Sequence, residues 1–284
     1  MTERGPQALA RDSSSLSIGP SVLEWRNDAL TVHLDEVTAP WPTRIRGHVR
    51  LHPAAFGDAV LGLDAAGRHV WRAFAPLATV EVVLDAPRLR WRGKGYLDGN
   101  SGAEPLEAAF ERWDWSRATG RRHACVLYDV VRRGGEPAAW ALRFDAHGRA
   151  EAREPPPRVT LPRSAWGIRR GTRVAGGGEV RVVATLEDGP FYARTRLSTR
   201  VGGEAMDAIH ETVSLERFRR GWVRCLLPFR MPRRGRGSAG VVARVAPPAV
   251  EAQGDELDDR PAEHEREHDE ELDQAHPARV HGRR

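Results

Sequence analysis

The sequence predicts an all-β protein, a barrel or a sandwich in two parts, from three observations. The first is its dominant hydrophobic period, which is two. Leu30, Val32 and Leu34 alternate with Thr31, His33 and Asp35, and Ile45, Val49 and Leu51 alternate with Arg44, Arg46, His48 and Arg50. The second is that these segments are short and separated by turn formers such as Asp64–Gly67 and Gly176–Gly178. The third is the proline-rich stretch EAREPPPRVTLP at 151–162, which reads as a linker or crossing.

Taken in order, residues 1–155 are expected to form a first β-barrel domain and 156–232 a second, smaller β-rich part. Trp140, Leu142 and Phe144 supply a late strand of the first. Val180, Val182, Ala184 and Leu186 begin the second, followed less cleanly by Ile209, Glu211, Val213 and Leu215. Leu106, Phe110 and Trp113, just after Pro105, fall at helical spacing and predict a turn or two of helix over a barrel mouth. Phe191, Tyr192 and Phe229 are expected to fill cores. From 233 to 284 the aromatic-free, charge-rich tail is expected to be disordered.

Composition narrows the function classes. Lys94 is the only lysine among 44 basic residues. Residues 251–284 carry 12 acidic side chains and 5 arginines, so residues 1–250 hold 39 basic against 27 acidic groups, a net charge of +12. A basic body favours anionic surfaces. Its arginines alternate along strand-like segments instead of clustering with aromatics, which argues against nucleic acid and leaves peripheral membrane contact as the better reading. Cys125 and Cys225 make no disulfide framework. The N-terminal MTERGPQALARDSSS has no apolar core of a signal peptide, and no apolar run approaches the ~20 residues that span a bilayer. A cytoplasmic-side location, soluble or peripheral, is expected.

The chemistry concentrates in 95–117, GYLDGNSGAEPLEAAFERWDWSR. A carboxylate among aromatics suits protonation of an apolar, electron-rich molecule, because an apolar pocket keeps the acid protonated and π-faces meet developing positive charge. Tyr96 and Asp98 are two residues apart, as are His69 and Trp71, so each pair shares a strand face. With Thr79–Leu84 as a strand between them, all four side chains can converge on one interior. Each has a plainer reading. Asp98 stands in Asp-Gly-Asn, a turn signal; Trp71 can be core; Tyr96 can fill a bulge; His69 can be a satisfied polar group. Trp113 and Trp115 flank Asp114 either as an aromatic plug, with Arg117 pairing to Asp114, or as the lining of an elongated apolar pocket. No nucleophile elbow, P-loop or Rossmann glycine signature occurs. His264 and His268 have helical spacing but stand in the charged tail. No cofactor and no metal is implied.

These motifs resemble the carotenoid 1,2-hydratase (hydroxyneurosporene synthase) family of purple bacteria. The resemblance runs through Met1–Gly5, Gly67–Trp71, Gly95–Asn100, Arg112–Arg117, Thr185–Arg194, His210–Phe218 and Leu227–Arg233, and covers about residues 1–233. It implies lipocalin-like β-barrels, no cofactor, and addition of water across the terminal C1–C2 double bond of acyclic carotenoids such as neurosporene and lycopene. It also implies His69, Trp71, Tyr96 and Asp98 as catalytic residues. Asp98, its pKa raised, would protonate C2; Trp71 and Tyr96 would face the tertiary cation at C1; His69 would orient Asp98 or the attacking water. Relatives carry further residues before the position of Met1, so the first barrel is expected to be incomplete at its N-terminus. Two other functions compete: a lipocalin-like carrier of an apolar ligand, which needs no Asp98, and an inert truncated paralogue.

Overall fold

The longest strand organises the first half of the molecule. β7 (His69–Ala86) alternates buried His69, Trp71, Ala73 and Ala75 with exposed Arg72 and Phe74, so the period of two is realised as one buried and one wet face. The computed structural model describes residues 4–38, 41–175, 178–201 and 204–230. All of them lie within one unit, residues 1–246.

The first antiparallel sheet contains β1 (Leu9–Arg11), β2 (Ser15–Ile18), β3 (Ser21–Arg26), β4 (Ala29–Val37), β5 (Arg44–Ala55), β6 (Val60–Gly62), β7 and β8 (Leu89–Gly102). The strands pair in sequence from β1 to β5, and β5 and β6 then share one edge of β7. The other edge of β7 pairs with β8 alone. One helical turn, α1 (Leu106–Ala109), leads into the second sheet: β9 (Phe110–Thr119), β10 (Ala124–Arg132), β11 (Ala138–Phe144), β12 (Ala150–Arg153), β15 (Arg181–Asp188), β16 (Tyr192–Val201) and β17 (Glu204–Ser214). Its order is β12-β11-β10-β9-β17-β16-β15, so strands from both sides of the triple proline share it. A separate hairpin, β13 (Arg158–Leu161) with β14 (Arg170–Arg173), covers one face of this sheet over β9 and β17. α2 (Leu215–Phe218) and α3 (Gly221–Arg230) follow.

The all-β fold of antiparallel sheets is as expected, and the second sheet takes strands from before and after residues 151–162. The main core lies between the sheets, where Trp71, Ala73 and Leu77 of β7 meet Trp113 and Trp115 of β9 and Val126, Tyr128 and Val130 of β10. The helix expected over Leu106, Phe110 and Trp113 is only the single turn of α1; Phe110 and Trp113 belong to β9. Their helix-like spacing has a different cause. Arg112 pairs with Val131 but Phe110 with Arg132, so Glu111 is an extra, bulged residue and keeps both aromatics on the core face. Asp98 stands inside β8, not in a turn. Of the Gly176–Gly178 turn only Gly178 is described, its N–H donating to the Ala175 carbonyl at 2.8 Å. The 233–284 tail with His264 and His268, and the Phe229 side chain, lie outside the described residues.

Bulges also shape β7. Gly47 sits at one, with φ at +145° and a would-be Cβ 2.3 Å from the Val83 carbonyl oxygen. A side chain there meets rigid backbone. Gly47→Ala is expected to cost about 1–3 kcal/mol in urea unfolding, and a cost within error of zero would show that the bulge relaxes freely.

Candidate active site

The acid, the indole and the phenol come from the β7–β8 hairpin. Ala73 pairs with Asp98 and Trp71 with Asn100, which places Trp71 diagonally across the ladder from Asp98 on the same face. The Trp71 indole N–H donates to Asp98 Oδ2 at 2.8 Å. Trp71 is fully buried, and its ring meets Tyr128 edge-on at 6.0 Å. Tyr128 in turn contacts Trp113 and Trp140, both at 6.4 Å between centroids, and its hydroxyl donates to Asn100 Oδ1 at 3.3 Å. An aromatic wall thus backs the carboxyl.

Tyr96 lies opposite a bulge in β7, between the Ala78–Gly95 and Ala75–Leu97 pairs. Pro76 explains the break, because it has no N–H for the ladder. The bulge expected from sequence is thus present in β7, opposite Tyr96. Tyr96 packs against Trp115 at 5.3 Å, and the Arg117 guanidinium sits 4.5 Å over its ring. A face already holding a cation is poorly placed to receive a second one. The expected use of the Tyr96 face for the substrate cation is not supported by this arrangement.

Burial governs the titration of the group. It pushes the Asp98 carboxyl above the usual carboxylate range, and it outweighs the opposing pull of the Trp71 hydrogen bond and Arg117 charge. Burial, with the Asp98 and Glu211 charges, pushes Tyr96 up to about 12. Burial lowers Arg117 to about 10, which leaves it charged at neutral pH.

His69 is not brought to Asp98. Only 1% exposed, it packs edge-on against Phe110 at 5.0 Å, with Nε2 3.6 Å from Glu104 Oε1. It pairs with Gly102, four pairs along the ladder from Asp98, and neither ring nitrogen has a hydrogen-bond partner among the described residues. Trp113 and Trp115 pack as strand residues into the core between the sheets. Asp114 points the other way, to Arg158, Arg112 and the Thr212 hydroxyl (2.6 Å). The expected Asp114–Arg117 pair is absent because residues three apart in a strand face opposite sides. Arg117 donates instead to the carbonyls of Pro76 (2.6 Å) and Gly95 (3.3 Å).

Sequence reasoning missed Glu211 and Arg194. Glu211 Oε1 lies 3.3 Å from Arg194 Nε, and Tyr192 hydrogen-bonds to it. Arg194 also hydrogen-bonds Tyr96, so a second carboxyl joins the site through a phenol and a guanidinium. Burial raises Glu211, and the Asp98 charge adds to that shift. The only sequence signal was the untidy alternation at Ile209–Leu215, where a glutamate occupies a core-facing position.

The opposite face of β9 carries a separate polar network under the β13–β14 hairpin. His210 Nδ1 and Ser116 Oγ are 2.8 Å apart, Ser116 meets Thr172 at 2.9 Å, and His210 Nε2 meets Thr212 at 3.1 Å. Burial pushes His210 down to about 3, so it is neutral. Next to it, Ala118, Leu127 and Leu197 help line an apolar cavity of about 320 Å³ that Asp98 does not reach.

A family model described as carotenoid hydratase CrtC matches residues 1–239. The chain belongs to the carotenoid hydratase family. Within that family it is 52% identical over 236 residues to the acyclic carotenoid 1,2-hydratase of Thiocapsa roseopersicina and 44% identical over 235 to that of Rubrivivax gelatinosus. These matches cover 83% and 82% of this chain, which spans only 58% of the length of each relative. The acyclic carotenoid 1,2-hydratase of Cereibacter sphaeroides is 37% identical over 82% of this chain and 84% of its own. Among solved structures, a putative AttH from Nitrosomonas europaea overlays with a TM-score of 0.49 at 13% identity, over 74% of this chain and 73% of that one.

Proposed function

We propose that this member of the carotenoid hydratase family adds water across the terminal C1–C2 double bond of an acyclic carotenoid. The observation that carries the reading is the half-buried Asp98 carboxyl, held by the Trp71 N–H at 2.8 Å against an aromatic wall and raised by desolvation. An isolated alkene is a weak base, so the acid must be neutral and poorly solvated to protonate it. Asp98 gives its proton to C2, the π electrons form the C2–H bond, and a tertiary cation remains at C1. The new Asp98 carboxylate and the indole of Trp71 stabilise that cation. Water adds to C1, and its surplus proton leaves to a base. Glu211, ion-paired with Arg194 at 3.3 Å, is the base we assign, with His69 a residue that shapes the wall through Phe110 and Glu104. A carrier needs the wall but gains nothing from a half-buried, desolvated carboxyl that costs stability.

The test is expression in cells that accumulate neurosporene or lycopene, with pigments separated by chromatography and weighed by mass spectrometry. Products heavier by one water support the reading, and their absence from folded protein removes it. Glu211→Gln adds a sharper check. With an ionised base and a protonated acid both required, the rate should rise as pH climbs through the Glu211 pKa and fall as it passes that of Asp98. In Glu211→Gln, turnover should drop about 10²-fold and the acidic limb should disappear. A retained acidic limb at full rate would exclude Glu211 as the base.

Its substrate class dissolves in bilayers, so the reading carries with it work at a membrane surface, on the cytoplasmic side. Among the described residues no helix is long and apolar enough to cross a membrane.

A further inference from the structure

Two sequence stretches left unused above, WGIRR at 166–170 and ERFRRGWVR at 216–224, concentrate arginine and tryptophan, and the fold brings them together. The rings of Trp166 and Trp222 stack at 6.2 Å and 17°. Although each covers the other, they remain 42% and 44% exposed. Leu226, one helical turn beyond Trp222 and 36% exposed, extends the apolar strip along α3, while fully buried Val223 anchors that helix to the body. Arg217 ties the pair together, donating to the Trp166 carbonyl at 2.7 Å with its guanidinium 6.0 Å over the Trp222 ring.

Beside the stack lies a cavity of about 490 Å³ whose lining includes Arg112, Arg163, Arg169, Arg217 and Arg220. Its two glutamates do not balance them. Glu216 is 3.5 Å from Arg220, Glu111 leans to Arg133 at 3.8 Å, and Arg112 is 3.5 Å from Asp114. Arg163, Arg169 and Arg217 form no ion pair with a carboxylate among the described residues. Uncompensated guanidinium groups bind phosphate oxygens in a fork, and exposed indoles settle at the headgroup level of a bilayer. Arginines alone would suit a free phosphate equally well; the indole pair and Leu226 favour one that carries lipid.

We propose that this face, formed by the 162–169 loop, α2 and the start of α3, docks the protein on a membrane containing anionic phospholipid. The proposal deepens the membrane part of the reading above and needs none of its chemistry. It also uses the side of β9 turned away from Asp98, so its variants spare the acid site.

Flotation of the full chain with carotenoid-free vesicles tests it. Vesicles containing phosphatidylglycerol should bind the protein on the order of tenfold more than phosphatidylcholine alone, with the difference shrinking at high salt. Arg163→Gln with Arg169→Gln should lower the anionic binding about fivefold per arginine, and Trp222→Ala should lower it and reduce the blue shift of indole emission. Equal binding to both vesicle types, no binding by the parent, or unchanged binding by the double variant would overturn the proposal. So would glycerol phosphate binding without vesicle binding, which would make the cavity a soluble-phosphate site. Protein that floats but yields no hydrated pigment would leave the docking face standing and remove the hydratase reading.

Discussion

Asp98→Asn is expected to abolish detectable hydration, a loss of about 10²–10⁴-fold, while leaving the fold intact. The amide keeps an acceptor oxygen for the Trp71 N–H, so the 2.8 Å contact can persist without a transferable proton. Stability supplies the control. Because burial raises the folded-state pKa of Asp98, the unfolded chain releases this proton at a lower pH than the native protein does. The neutral acid therefore helps the fold fully below the unfolded value of ~3.9, and that help is lost as pH rises through the folded value. At pH 7 the native carboxyl is a burden that the amide lacks. Asp98→Asn should accordingly be at least as stable as the parent at pH 7 in urea titration. An inactive variant that is also strongly destabilised would not support the acid role; an active one would refute it outright.

The second large effect is on stability. Asp114→Ala removes the carboxylate shared by Arg158, Arg112 and Thr212. Breaking a buried charge network from one side costs about 3–5 kcal/mol, and the low end is expected here because Arg158 keeps 36% of its side chain in water. Pairing Asp114→Leu with Arg158→Met should recover part of that loss, since an apolar pair leaves no stranded charge. If Asp114→Ala alone shifted stability by less than about 1 kcal/mol, the network would be ornamental in energy terms.

Much of this fold was legible because strands advertise themselves by alternation, and residues 29–37, 44–55 and 138–144 alternate cleanly. Where a strand carries a bulge the signal fails: one extra residue at Glu111 turned a strand into an apparent helix. Asp-Gly-Asn reads as a turn locally, yet the β7 ladder keeps it extended, since thirteen residue pairs hold the hairpin in register. For the site, i to i+2 spacing correctly put Tyr96 with Asp98 and His69 with Trp71 on shared faces. It had no means of placing His69 four pairs away from the acid, because that distance depends on where the hairpin turns. Glu211 was out of reach for another reason. It enters from the second sheet, 113 residues further along than Asp98, and only sheet packing brings it in.

β9 is a partition with a tenant on each side. Trp113, Trp115 and Arg117 face the candidate acid site, while Asp114, Ser116 and Ala118 furnish the polar network and apolar cavity behind it. Both rooms are papered from one strip of six residues, so neither can be redecorated by shifting it. A slip of one position would drive a carboxylate into the aromatic wall and two indoles beneath the hairpin. Selection on either chamber therefore holds the other's furniture in place, and substitutions that tune one are safest on the neighbouring strands.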